Sequence, residues 1–303
     1  MPNSEQEFRA MFAEVYPLSM GIIEDIIAHE KDLSPTANYG EIYHYTSLET
    51  VQKILANETV RFTNIGLLND TEEYNHSFGI LKGIVEKLKT EYSDEIVLLE
   101  YLDNIILDLS EMPKIYVACF SRSKDQLSQW RGYTPHGEAA CLAFDSFEIT
   151  ESGLEYFPLY DVIYDNERQI SLLSSKINII VKEYISHKDG KDLSRIMKSV
   201  IHIAKRGLNV TLSIMKSSMW SEENEVRWII DLDKSENLRH LRYAMPKTID
   251  IKISKKRVLP ITGILFGPQS NSQQNTDAIK ALLATKELQS ANLEISKIPL
   301  RRI

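Results

Sequence analysis

Trp220-Ser-Glu-Glu-Asn-Glu-Val-Arg-Trp-Ile-Ile230 is the stretch whose reading decides the fold. From Glu223 onward it alternates with a period of two, which predicts a strand over Glu223–Ile230. Val226, Trp228 and Ile230 then fall on one face, and Glu223, Glu225 and Arg227 on the other. The apolar row reads as core. The charged row is either an ordinary solvated strand face or, if covered, a paired set able to form a site, because unpaired buried charge is strongly destabilising.

Other strands follow from the same pattern. Glu41–Thr46 places Ile42, His44 and Thr46 on one side and Tyr43 and Tyr45 on the other; Val60–Thr63 is a second short strand. Ile115–Phe120 and Ala139–Phe144 are almost wholly apolar and read as central strands covered on both faces. Further strands are expected at Glu155–Tyr164, around Leu241, at Ile249–Ile253, at Ile261–Phe266 and at Leu293–Ile298.

Helical spacing marks Glu5–Lys31, a short helix after the capping box Thr46-x-x-Glu49, two helices between Asp70 and Ser110, a short helix capped at Ser123-x-x-Gln126, two long helices from Glu167 to about Trp220, and one from Thr276. The fold class expected is α+β with mainly antiparallel central sheets. It forms one domain over residues 1–303, with a helical extension over 1–40 and helical insertions at about 70–110 and 167–220 of a core spanning 41–303.

Hydrophobic content of 43% beside 26% charged residues suits a globular chain of 303 residues with a substantial core. A net charge of -8 argues against indiscriminate coating of nucleic acid, although basic residues outnumber acidic ones beyond Asp231, a pattern shared by polyanion-facing surfaces and by scattered surface lysines. Cys119 and Cys141 both lie in apolar runs and read as buried thiols of a reducing compartment, not as a disulfide framework or a zinc site. The amino terminus lacks a secretory pattern, and no apolar run approaches the roughly 18 residues of a membrane span, so a cytoplasmic protein without membrane partners is expected.

Candidate chemistry is scattered. His44 ends a strand and precedes a capped helix, a place where a ring can enter a cleft beside helix amides or simply be a satisfied core histidine. Asn69, Asp70, Glu73 and His76 share helical offsets that could suggest a metal, but they have neither the spacing nor the ligand number of a known zinc motif, and a helix cap explains Asn69 and Asp70 more cheaply. Trp130, Arg131 and Tyr133 surround a glycine and can stack a planar ring, or Trp130 can be core. Dinucleotide, phosphate-loop, nucleophile-elbow and zincin signatures are all missing.

Tyr43-His-Tyr-Thr-Ser47, Leu68-Asn-Asp70 with Glu73, Cys119-Phe-Ser121, Trp130 with Tyr133 and Gly137, Trp220-x-x-Glu-x-Glu-x-Arg227 and Ile264-Leu-Phe-Gly-Pro268 occur in this order. Together they resemble a widespread bacterial family of unknown function, over most of the chain. The His-Tyr-Thr-Ser strand is in turn similar to the first motif of ADP-ribosyltransferases, which include toxins of toxin–antitoxin pairs.

That resemblance implies an ADP-ribosyltransferase-like core and NAD as the substrate, with no metal. His44 and Glu225 would be catalytic with Tyr133 as the middle aromatic, although Tyr133 lies further along than the pattern has it. Tyr43, Tyr45, Thr46, Ser47, Asn69, Trp130, Arg131, Glu223 and Arg227 would line the NAD site. It also implies a toxin or anti-phage effector, a nucleic-acid base, protein side chain or water as acceptor, and a possible neutralising partner protein. Two other readings stay open: a non-catalytic module binding a nucleotide or protein in the same cleft, and a magnesium-dependent nucleic-acid-processing enzyme using Asp70, Glu73, Glu223 and Glu225.

Overall fold

Alternation of apolar and polar residues builds a single sheet whose strands, in chain order among the described residues, are β1 (Glu41–Ser47), β2 (Thr59–Asn64), β3 (Ile115–Ser121), β4 (Ala139–Asp145), β5 (Leu159–Asp161), β6 (Glu225–Asp231), β7 (Thr248–Lys252), β8 (Ile261–Phe266) and β9 (Asn292–Ile295). The structure, a computed structural model, describes residues 39–68, 72–111, 113–133, 138–151, 158–233, 235, 237–253, 259–268, 272–286, 288 and 290–299. The helix expected over Glu5–Lys31 and the cap expected at Asp70 lie outside these. Chain contacts define two compact units, one of residues 35–68, 114–162 and 219–303, the other of residues 1–34, 69–113 and 163–218.

The first unit holds the sheet, ordered β5-β6-β3-β1-β4-β8-β9, with β2 bridging β3 and β7. Every described pairing is antiparallel except β8 with β9. One face carries Ile42, Phe120, Leu142, Phe144, Val226, Trp228, Ile230 and Phe266, all buried. Two helices, Leu48–Asn57 and Ser272–Thr285, bring Val51, Ile54, Leu55, Ile279 and Leu283 onto the same cluster. The first starts where the Ser47 hydroxyl accepts the Thr50 amide at 3.2 Å, one residue later than the expected capping box at Thr46. The apolar row read from 226, 228 and 230 is therefore core, each residue 0% exposed.

Among the described residues the second unit holds the helices Glu72–Glu91, Ile96–Ser110, Asn166–His187 and Leu193–Ser213. Leu98, Leu102, Ile105 and Leu109 recur at helical spacing as the buried stripe of one helix. Asp165 caps another by accepting the Arg168 amide at 2.7 Å. Fully buried Gln169 donates to the carbonyls of Ile163 (2.6 Å) and Lys216 (2.8 Å), satisfying backbone groups at the isolated bridge Ile163–Met215. No helix among the described residues is long and apolar enough to cross a membrane.

Three local expectations are corrected. The strand after Trp220 begins at Glu225, because Asn224 takes the left-handed region (φ 45°) and Glu223 closes a 3-10 turn over Ser218–Glu223. Leu241 lies in a short helix, Leu241–Ala244, whose Arg242 donates to the carbonyls of Leu232, Asp233 and Ser235 and so folds the segment back on the end of β6. The helix bearing Trp130 runs Leu127–Tyr133, so Ser123 is not its cap; the Ser123 amide donates instead to the Ser121 hydroxyl.

At Gly267 the chain passes so close to β4 that an added Cβ would stand 2.3 Å from the Ala139 Cβ and 3.1 Å from its carbonyl oxygen. Gly267→Ala is expected to cost about 1–3 kcal/mol by forcing β4 and the end of β8 apart; urea unfolding compared with wild type measures it.

Candidate functional site

The charged row of β6 is covered. Glu225 and Arg227, two residues apart on one strand face, are 5% and 1% exposed. They form a fork: Arg227 Nε donates to Glu225 Oε1 at 2.7 Å and an Nη to Oε2 at 3.1 Å. Desolvating both ions is costly, and only such paired, bidentate geometry returns enough Coulomb energy to hold them inside.

Register assigns their neighbours. Ser121 and Cys119 of β3 stand opposite Glu225 and Arg227, Tyr160 of β5 stands opposite Arg227, and Tyr43 of β1 stands opposite Ser121. Directly opposed residues of antiparallel strands share a face. One face of the sheet thus carries Tyr43, Tyr45, Cys119, Ser121, Glu225 and Arg227. The Ser121 hydroxyl donates to the Glu223 carbonyl at 2.7 Å and fixes the turn from which Glu225 emerges.

His44 lies on the other face. It pairs with Leu142, its ring packs 5.6 Å from that of Phe120, and its Nδ1 donates to the Cys119 carbonyl at 2.9 Å. Burial pushes its pKa down, against the opposing pull of the Cys119 carbonyl. The imidazole and the Glu225 carboxylate are consequently not turned into one cleft. The bond to Cys119 has a structural reason. That edge of β3 pairs with β2 at Val117 and with β1 at Ser121, and Cys119 sits midway at the fork, where His44 takes its carbonyl.

The remaining expected residues separate in the same manner. Tyr45 and Trp130 pack edge to face at 4.8 Å, and Trp130 is 2% exposed, so it is core and not a free stacking platform. The Tyr45 hydroxyl donates to the Ser123 carbonyl (2.7 Å) and accepts the Gln126 amide (2.9 Å), and burial raises the pKa of both Tyr43 and Tyr45. Thr46 shares the side of His44, Ser47 is spent as a helix cap, and Glu223 is half-buried in its turn. Arg131 is exposed, Tyr133 ends its helix, and Asn69 lies outside the described residues.

Asp125, which no spacing singles out, adopts φ 57° and accepts from Trp130 Nε1 (2.9 Å), the Lys297 amide (2.9 Å) and the Ser296 hydroxyl (2.5 Å), fastening the carboxyl-terminal segment beside Trp130. Among the described residues no group of three or more His, Cys, Asp or Glu side chains is placed to hold a metal ion.

Residues 129–228 match the model of a protein family of unknown function, DUF2971. Neither a curated protein nor a solved structure matches the chain. The matched segment contains Trp130, Arg131, Tyr133, Glu223, Glu225 and Arg227, and leaves the His44 strand outside.

Arg227→Met is expected to cost about 3–5 kcal/mol, because it strands a buried carboxylate, whereas replacing both members (Glu225→Leu with Arg227→Met) costs less than the single change. Urea unfolding of the three variants measures both. His44 gives a separate pH signature. Its folded pKa lies below the unfolded value, so its share of stability is full above about pH 6.5 and falls as the unfolded chain takes up a proton below it. His44→Gln keeps a donor for Cys119 and flattens that decline in unfolding midpoints measured between about pH 7 and pH 5.

Proposed function

We propose that the chain is an NAD-using ADP-ribosyltransferase-like enzyme acting as a bacterial toxin or anti-phage effector, with Glu225 as its essential carboxylate. The observation that supports this reading is positional: the His-Tyr-Thr-Ser strand and the Glu-x-Arg strand, far apart in sequence, flank the single strand β3, and Tyr43, Tyr45, Ser121, Glu225 and Arg227 share one face.

In the proposed reaction the bond from C1′ of the ribose to the nicotinamide nitrogen breaks. Nicotinamide leaves with the electron pair and becomes neutral, while C1′ gains oxocarbenium character. A carboxylate fixed beside that carbon stabilises the developing positive charge. An oxygen or nitrogen of the acceptor, a nucleic-acid base, a protein side chain or water, then bonds to C1′ and releases its proton to Glu225 or to solvent. Arg227 orients Glu225, and an arriving pyrophosphate competes for the same guanidinium. With His44 turned away, Tyr43 and Tyr45 are the aromatic residues of that strand's motif that share the Glu225 side.

A second reading, a non-catalytic nucleotide-binding module, is favoured by one observation: both oxygens of Glu225 are already engaged by Arg227. Nicotinamide release separates the two. Under the enzymatic reading wild-type protein consumes NAD, and Glu225→Gln, folded by circular dichroism, slows release by about 10²–10³-fold. Thermal stabilisation by NAD without release would select the binding module. Absence of both would remove NAD as the ligand.

A further inference from the structure

The excess of basic residues beyond Asp231, thirteen Lys and Arg against six Asp and Glu, has a focus in the segment that links β6 to β7. From Asn237 to Ile249 that segment contains Arg239, His240, Arg242 and Lys247 and not one carboxylate. Its hydrogen bonds are helical. The amides of Leu241, Arg242 and Met245 donate to the carbonyls of Leu238, Arg239 and Leu241 at 2.8, 3.2 and 2.9 Å. This winding sorts the side chains. Leu238 and Leu241 pack on the core, Arg242 is spent on backbone carbonyls, and Arg239, His240 and Tyr243 are exposed. Lys247, just beyond, is exposed too and makes no ion pair among the described residues.

Tyr243 is the independent observation. It is 96% exposed, and its phenol makes no hydrogen bond. A tyrosine ordinarily buries its ring and keeps only its tip wet, so this ring forgoes the burial that its size offers. The turn that carries it is anchored. Tyr116 donates to the Pro246 carbonyl at 2.6 Å, the Asn64 amide donates to the Lys247 carbonyl at 3.0 Å, and Met245 is held in the left-handed region at φ 38°. The flanking acids are engaged elsewhere. Asp250 is forked to Arg61 at 2.8 and 3.0 Å, Asp231 accepts the Asp233 amide, and Asp233 lies 3.4 Å from the Lys114 ammonium and 3.9 Å from the Arg242 guanidinium. Lys234 and Glu236, of opposite sign, lie outside the described residues. Arg239 stands one helical turn before Tyr243 and Lys247 four positions after it, so a cation flanks the ring on either side in the chain.

We propose that this surface binds single-stranded nucleic acid, one base stacking on Tyr243 and the adjoining phosphates lying against Arg239 and Lys247. A bare aromatic ring and flanking cations are the two parts that sequence-tolerant strand binding requires. Single strands are selected because only an unpaired base offers its face to the ring. The four-residue helix Leu241–Ala244 is moreover too short to fill a major groove. The surface begins past the Asp231 end of β6, about 20 Å of strand from Glu225. Binding there needs neither NAD nor that carboxylate, so it stands whether or not Glu225 is catalytic.

Fluorescence anisotropy of a labelled oligo-dT strand against the full chain, without NAD and at about 50 mM salt, tests it. A Kd of about 100 µM or tighter is expected, within the range of sequence-independent binding. Tyr243→Ala is expected to weaken binding about 5–100-fold, the worth of one stacked base, and Tyr243→Phe to leave it unchanged. Lys247→Gln lowers the slope of log affinity against log salt by about 0.7. An abasic strand of the same length and charge binds at least about fivefold more weakly than oligo-dT. Tyr243 and Lys247 are exposed, so these variants keep the fold, which circular dichroism checks. A Kd weaker than about 100 µM, unchanged binding by Tyr243→Ala, or an unchanged salt slope in Lys247→Gln would each overturn the proposal. So would equal binding of the abasic strand or of duplex DNA, or equal competition by poly-glutamate, which would assign the surface to an acidic protein.

Discussion

One strand edge cannot serve two partners along its whole length, and the sheet is arranged around how β3 resolves this. Its Val117 end pairs with β2 and its Ser121 end with β1, so the two strands diverge from a fork. A backbone carbonyl left open at such a fork inside a protein would cost as much as a lost hydrogen bond. His44 supplies a donor to the Cys119 carbonyl there from a side chain. A histidine that sequence reading leaves open between a cleft residue and a satisfied core one is thereby committed to holding the sheet together, with burial pushing its pKa down.

The other edge of β3 pairs with β6 over seven residues, Ile115 to Ser121 against Asp231 to Glu225. That long, regular ladder carries the core row Val226, Trp228 and Ile230 on one side and the Glu225–Arg227 fork on the other. A guanidinium with 1% exposure on a central strand is unusual for a face that could have been apolar. Such a pair is weak evidence for stability in its own right, since apolar replacements of similar volume often do as well. Its retention on the face shared with Tyr43, Tyr45 and Ser121 is what makes the chemical reading worth pursuing.

Much of this was legible from residues alone. Periodicity located β1, β3, β4, β6 and β8 to within a residue or two, and the uniformly apolar Ile115–Phe120 and Ala139–Phe144 segments are central strands as their composition implies. Facing was not legible. A period of two tells that His44 and Tyr43 point apart, and that Glu225 and Val226 do, but not which of each pair share a side. That depends on the pairing Tyr43–Ser121–Glu225, and a shift of one residue would have put His44 with Glu225. The left-handed Asn224, which removes Glu223 from β6, and the Arg242 contacts that turn the Leu241 segment into a helix are tertiary effects of the same kind.

The order in which the strands join has a consequence for how the molecule is made. Neighbours in the sheet come from remote parts of the chain: Arg61 of β2 clasps Asp250 of β7 through two bonds of 2.8 and 3.0 Å, and β3 meets β6 only after both long helices have intervened. During synthesis β1, β3 and β4 leave the ribosome with an open flank, while each helix, whose backbone hydrogen bonds are local, is able to form as it emerges and finds its packing partners only later. Completion of the sheet waits for the last third of the polypeptide, so the nascent chain carries unpaired strand edges for much of its translation and depends on restraint of those edges until β6 and β8 arrive.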